Sequence, residues 1–79
     1  MIVYILYSDK SSRYYVGQTA DIIKRLERHN LGKVASTRSA VPWKLVLQLN
    51  VDTRSEALIL ERKIKKRGAK RFIDDHLGV

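Results

Sequence analysis

The sequence contains no cysteine. That absence removes disulfide staples, thiolate metal sites and thiol nucleophiles together. Stability must come from packing, and the chain suits a reducing compartment, so a cytoplasmic location is expected. Long hydrophobic runs are missing too. The apolar stretch near the start, Ile2 to Tyr7, is far too short for a membrane span and lacks the basic start and small-residue cleavage site of a signal peptide. We therefore expect a soluble, unprocessed protein with no membrane partner. Acidic residues are scarce: eight Asp plus Glu stand against sixteen Lys plus Arg, a formal charge of +8. Such an excess favours a polyanionic partner, nucleic acid above all. Counterion release would supply most of the non-specific affinity, which should weaken steeply with salt.

What is present fits one domain over residues 1–79, near the lower size at which a core folds alone, with roughly 60% of the unfolded surface buried. Residues 2–8 (IVYILYS) are β-branched and aromatic with apolar side chains on both faces, as in a central strand covered on two sides. The cluster Asp9, Lys10, Ser11 and Ser12 makes a turn, and residues 13–18 (RYYVGQ) return as the second strand of a hairpin. Thr19 can cap a helix that carries Asp21 in its first turn, runs to about Asn30 and stops at Gly32. After a polar loop, Leu45, Leu47, Leu49 and Val51 alternate with polar or exposed positions over residues 44–51, the period of an edge strand with one buried face. Thr53 and Glu56 form a capping box that opens a second helix ending at Gly68, and a short third helix covers Lys70 to His76. The order ββαβα(α) predicts an α/β chain of the α+β type: a three-stranded, largely antiparallel sheet flanked by helices.

A four-residue turn fixes the hairpin register, with Ser8 facing Arg13, Leu6 facing Tyr15 and Tyr4 facing Gly17. Tyr4 and Tyr15 then share a face as diagonal neighbours, roughly 7 to 8 Å apart at Cα, close enough for two phenols to converge on one ligand. Gly17 has no side chain, and a glycine inside a strand commonly marks a close approach, so a pocket is expected over it. Each of these residues alone reads more readily as an ordinary strand residue. On the first helix, Ile22, Ile23 and Leu26 define the buried stripe, with Arg25 and His29 along its margin at i and i+4, where they can reach a phosphate held at the sheet. On the second helix, Ala57, Leu60 and Ile64 form the stripe and Glu61 is the charge nearest the core, hemmed by Ala57, Leu58 and Ile64. A carboxylate is rarely placed there unless paired or bound to metal. A salt bridge to Arg25 or another basic residue is the alternative. Trp43 reads as a core anchor rather than a base-stacking platform.

In this order and spacing the residues resemble the GIY-YIG nucleases, and the likeness covers nearly the whole chain. Val3-Tyr4-Ile5 stands where that family has its first tripeptide and Tyr15-Val16-Gly17 where it has its second; DIIKRLERHN, the loop elements TR and PW, and EALILERKIKK continue the match. The resemblance implies a metal-dependent phosphodiester hydrolase leaving a 5′-phosphate and a 3′-hydroxyl. In that reading the catalytic set is Tyr4, Tyr15, Arg25, His29 and Glu61. Tyr4 and Tyr15 orient or deprotonate the attacking water, Tyr15 being the favoured general base, Arg25 stabilises phosphate charge, and Glu61 is the acidic ligand of one Mg²⁺ or Mn²⁺. Gly17, Gln18, Lys33, Thr37, Arg38, Lys65 and Lys66 are the expected substrate contacts. Two departures stand out: Val3 replaces the first glycine, and Gln18 stands where some repair-type relatives have lysine.

DNA is the expected substrate, with RNA open, and weak sequence specificity with selectivity for nucleic-acid structure is expected for want of a recognition domain. Two other classes compete. A non-catalytic nucleic-acid-binding module would keep the fold and charge but has no use for a carboxylate facing a polyanion. An interaction protein would use exposed Ile59 on the outer side of the second helix as a homodimer or partner surface.

Overall fold

The computed structural model describes residues 1–78. Among them, three strands and three α-helices follow in the order β1 (Ile2–Ser8), β2 (Arg13–Thr19), α1 (Ile22–Asn30), β3 (Lys44–Asn50), α2 (Arg54–Arg67) and α3 (Ala69–Leu77), with one turn of 3-10 helix at Arg38–Ala40. The sheet is antiparallel throughout, in the order β2-β1-β3. This is the α+β arrangement the sequence predicts, with β1 central and β3 at an edge. The hairpin register pairs Ser8 with Arg13, Leu6 with Tyr15 and Tyr4 with Gly17, as a four-residue turn requires.

Helices cover both faces of the sheet, which is why β1 is apolar on both sides. Val3, Ile5 and Val16 pack with Ala57 and Ile64 of α2, joined by Leu47, Leu60, Phe72 and Ile73. Tyr4 and Leu6 point the other way, into a layer with Ala40, Trp43, Tyr15, Ile22 and Leu26. Helix α2 opens as expected, with the Glu56 N–H donating to Thr53 Oγ1 at 3.1 Å. Gly68, at φ 95°, lets the chain pass directly from α2 into α3.

Several local expectations are corrected. Thr19 completes β2, and the cap of α1 is Asp21, whose carboxylate accepts from the Lys24 N–H at 3.1 Å. A carboxylate at the N-cap satisfies an orphan donor and meets the positive end of the helix dipole. Ile23, placed in the buried stripe of α1 by its hydrophobicity, is 78% exposed. The helix is turned so that Arg25, Leu26 and His29 face the sheet, because a polar partner waits there. Leu58, expected beside Glu61, is also exposed.

The single buried face expected of β3 is broken by a bulge: Leu47 pairs with Ile5 but Leu45 pairs with Leu6, leaving Val46 as the extra residue. Leu47 therefore packs toward α2 while Leu45 shifts to the opposite face and is 37% exposed. Bulges of this kind are common on edge strands, where the unpaired residue meets water rather than another ladder.

Candidate active site

Tyr4 stands in the middle of the central strand and is fully enclosed. Across from it, a β-carbon on Gly17 would lie 2.6 Å from the Tyr4 oxygen and 2.8 Å from its Cζ. The space over Gly17 is thus taken by the Tyr4 ring itself, which corrects the expectation of a ligand pocket there. The glycine makes room for a side chain of the same fold.

Around the Tyr4 oxygen a polar network closes. Arg25 Nε–H donates to it at 3.2 Å, and His29 Nε2 lies 2.9 Å away. The other ring nitrogen of His29, Nδ1, is 2.8 Å from Thr37 Oγ1, and the Thr37 hydroxyl donates to the Val34 carbonyl at 3.3 Å. His29 and Thr37 are both fully buried. The loop that carries Thr37 is fastened from behind. Trp43 Nε1–H donates to the Thr37 carbonyl at 2.8 Å, and Asn30 exchanges two hydrogen bonds with the Trp43 backbone. Trp43 is 4% exposed, the core anchor expected of it.

Tyr15 is half-buried and flanks this network, its ring centroid 6.3 Å from Tyr4, 5.0 Å from His29 and 6.3 Å from Trp43. Burial pushes the Tyr4 phenol above its ordinary value, and the hydrogen bond and charge of Arg25 only partly oppose this. Arg25 is held firmly protonated, first by its hydrogen bond to Tyr4, against some desolvation. Burial, reinforced by the Arg25 charge, lowers His29 to about 4. At neutral pH His29 is therefore an uncharged ring that accepts or donates a hydrogen bond, not a cation at the edge of the core.

Glu61 comes from the opposite layer, on α2. Its side chain is 14% exposed; one oxygen pairs with Lys65 Nζ at 3.1 Å and the other accepts from Gln18 Nε2 at 3.0 Å. Gln18 and Tyr15 project from opposite faces of β2, so the two halves of the set meet along an edge strand. The Glu61 charge reaches Tyr4, as the smallest of the influences that raise the phenol. The Gln18 Oε1 atom is buried and has no hydrogen-bond partner among the described residues.

No group of three or more His, Cys, Asp or Glu placed to hold a metal occurs among the described residues. One carboxylate nonetheless fits Mg²⁺ or Mn²⁺, since the smaller hard cations keep several waters and take one or two carboxylates together with substrate phosphate. The unpartnered amide oxygen beside Glu61 is a donor of the same hard kind.

Of the expected substrate contacts, Lys33, Arg38, Lys65 and Lys66 are exposed. Arg38 Nε donates to the Gly32 carbonyl at 3.1 Å. Thr37, read from sequence as a surface contact, is instead sealed in the core against His29. Gln18 is half-buried and tied to Glu61. Strand alternation, which puts Val16 and Gln18 together on the α2 face, was the signal for that tie. A cleft of about 410 Å³ between α2 and α3, lined by Lys63, Arg67, Phe72, Asp75 and His76, shares no residue with this site. Among the described residues, no helix is long and apolar enough to cross a membrane.

Comparison with known proteins identifies the family. The GIY-YIG catalytic domain matches residues 1–73. A UPF0213 protein of Syntrophus aciditrophicus is 48% identical over 67 residues, which cover 81% of this chain and 75% of that protein. A UPF0213 protein of Cupriavidus necator is 45% identical over 53 residues (66% of this chain, 58% of the relative), and one of Streptococcus pneumoniae 36% identical over 59 (73% and 60%). The aligned part thus spans about three-fifths of the length of the last two. No solved structure matches.

Proposed function

The chain belongs to the GIY-YIG family, and from that premise we propose that it is a metal-dependent nuclease that hydrolyses phosphodiester bonds of DNA, selecting by structure more than by sequence. The observation that carries this reading is the seat of Arg25: its Nε is anchored 3.2 Å from the Tyr4 oxygen, which fixes a permanent cation beside half-exposed Tyr15. A guanidinium held at one nitrogen keeps its outer nitrogens for a phosphate, and such preorganised charge is among the strongest contributions to phosphoryl chemistry.

The roles divide by accessibility. Tyr4 is enclosed and its proton is held more tightly than usual, so it is suited to placing Arg25 rather than to abstracting a proton. Tyr15 reaches solvent, and it is the group we assign to orient and deprotonate the attacking water. Glu61, with Gln18 steadying one of its oxygens, is the residue that would hold Mg²⁺ or Mn²⁺. When bound, that cation supplies Lewis-acid polarisation of the scissile phosphate and charge relief at the leaving oxygen. Lys33, Arg38, Lys65 and Lys66 contribute backbone contacts that position a strand without reading bases.

The test is cleavage of labelled single-stranded, double-stranded and branched DNA with Mg²⁺ or Mn²⁺, comparing wild type with Glu61→Ala and Tyr15→Phe. Cutting that needs metal and is lost in both variants supports the assignment. Intact DNA with salt-sensitive binding by the wild type replaces it with a non-catalytic binding module.

A further inference from the structure

The hydrogen-bond chain behind Arg25 has a direction, and counting its protons fixes which one. Four links connect five groups: Arg25 to Tyr4 at 3.2 Å, Tyr4 to His29 at 2.9 Å, His29 to Thr37 at 2.8 Å and Thr37 to the Val34 carbonyl at 3.3 Å. The guanidinium at one end can only donate, and the carbonyl at the other can only accept. Between them lie a phenol, a neutral imidazole and a hydroxyl, each with one proton. Four protons fill four links in a single way, with every donor pointing from Arg25 toward Val34.

His29 must then carry its proton on Nδ1 and accept from the Tyr4 hydroxyl at Nε2. The other tautomer has Nε2–H donating to the Tyr4 oxygen and Thr37 donating to Nδ1. It empties the Val34 link and leaves the Tyr4 hydroxyl without an acceptor inside a fully buried site. A buried polar group left without a partner is costly enough to decide between tautomers of similar intrinsic stability.

We propose that Thr37 is a positioning residue: by accepting from Nδ1 and donating its own hydroxyl hydrogen to the Val34 carbonyl, it holds the His29 ring with a bare Nε2 on the Tyr4 hydroxyl and so reserves the lone pairs of the Tyr4 oxygen for Arg25. The device acts through two side chains, His29 and Tyr4, on an arginine that Thr37 does not touch. Its anchorage suits the task, because the Trp43 indole holds the Thr37 carbonyl at 2.8 Å and the Thr37 N–H donates to Val34 as well. Removing the hydroxyl leaves the Nδ1 proton without its acceptor in the core; moving that proton to Nε2 would strand the Tyr4 hydroxyl and a bare Nδ1 instead, so the tautomer stays and the ring's hold on Tyr4 loosens. The tautomer stands independently of catalysis; only the consequence for phosphate contact rests on the nuclease reading.

Nitrogen-15 spectra of the ring nitrogens at neutral pH test this directly, with exposed His76 as an internal comparison. In the wild type, His29 should show a protonated Nδ1 and a bare Nε2; a protonated Nε2, or an even mixture, overturns the proposal without any variant. Thr37→Ser should keep the wild-type pattern, whereas Thr37→Val should keep the proton on Nδ1 but shift its resonance as the hydrogen bond to residue 37 is lost. An unshifted Nδ1 resonance in the valine variant, or a shift as large with serine, would show that the hydroxyl does not hold the ring. Affinity for a labelled single-stranded DNA oligonucleotide, measured without divalent metal, should fall roughly three- to tenfold in Thr37→Val and recover in Thr37→Ser. A lost Nδ1 hydrogen bond with unchanged affinity would cut the link to Arg25. Should Thr37→Val fail to fold, the wild-type and serine spectra still decide the tautomer. A wild type that shows the expected tautomer yet cuts no DNA would defeat the nuclease assignment alone.

Discussion

The Tyr4 phenol rests over the backbone of Gly17, so close that a single methyl group at residue 17 would stand 2.6 Å from the phenol oxygen. A flexible side chain elsewhere would swing aside. Tyr4 is fully buried and held by both Arg25 and His29, so Gly17→Ala must displace the whole network. We expect a loss of about 1 to 3 kcal/mol, the usual cost of overpacking, read as a lower urea midpoint. Adding Tyr4→Phe removes the oxygen but not Cζ, 2.8 Å away, so it should relieve only part of that loss. Full recovery, or no initial loss, would mean the ring is freer than its contacts indicate.

The two tyrosines should respond differently to loss of their hydroxyls. Tyr15→Phe is expected to slow single-turnover cleavage by about 100-fold or more, the range for a lost proton-transfer group, with DNA affinity retained. Tyr4→Phe frees Arg25, and its effect should fall on DNA affinity as well as on rate. Equal rate losses with unchanged affinity in both would place Tyr4 in the chemistry and refute the division by accessibility.

Glu61→Gln should abolish divalent-dependent cutting yet bind DNA at least as tightly, since it removes a negative charge from a surface that meets a polyanion. Gln18→Ala loosens the Glu61 oxygen it holds at 3.0 Å. The Mg²⁺ concentration for half-maximal rate should then rise about tenfold, as when a supporting hydrogen bond to a metal ligand is lost. An unchanged metal requirement would leave Gln18 no part in holding Glu61.

Acid should weaken the fold through His29. Its value in the folded protein is about 4, below the ordinary 6.5, so between these limits the unfolded chain binds the extra proton and the folded one does not. Stability is accordingly full above pH 6.5 and falls as pH drops toward 4, by up to about 3 kcal/mol from this residue. Urea midpoints across that range should drop less steeply in His29→Gln than in the wild type. Parallel slopes would contradict a neutral, buried His29.

Much of the fold is legible in the chain itself. Four turn residues set the hairpin register, Thr53 and Glu56 start α2, and Gly68 stops it, because each depends on backbone sterics and hydrogen bonds within a few residues. Apolar side chains on both faces of β1 likewise foretold a strand covered on two sides. Helix α1 defeated the same kind of reading. Hydrophobicity put Ile23 inward, but turning Ile23 out lets His29 meet Tyr4, twenty-five positions away in the chain. The bulge at Val46 is equally invisible to a period-2 pattern, which cannot register one extra residue on an edge.

The site was legible as a set of residue types and not as a division of labour. Sequence alone determined that two tyrosines share a sheet face, that a glycine lies opposite one of them, and that Glu61 is the charge nearest the core of its helix, since all three follow from fixed periodicities. Only the tertiary structure decided that Tyr4 is sealed while Tyr15 is half-open, that Thr37 turns inward to His29, and that Gln18 reaches Glu61 across forty-three positions. Such pairings are settled by which buried polar groups must satisfy one another when distant segments close together, a condition that exists only in the folded chain.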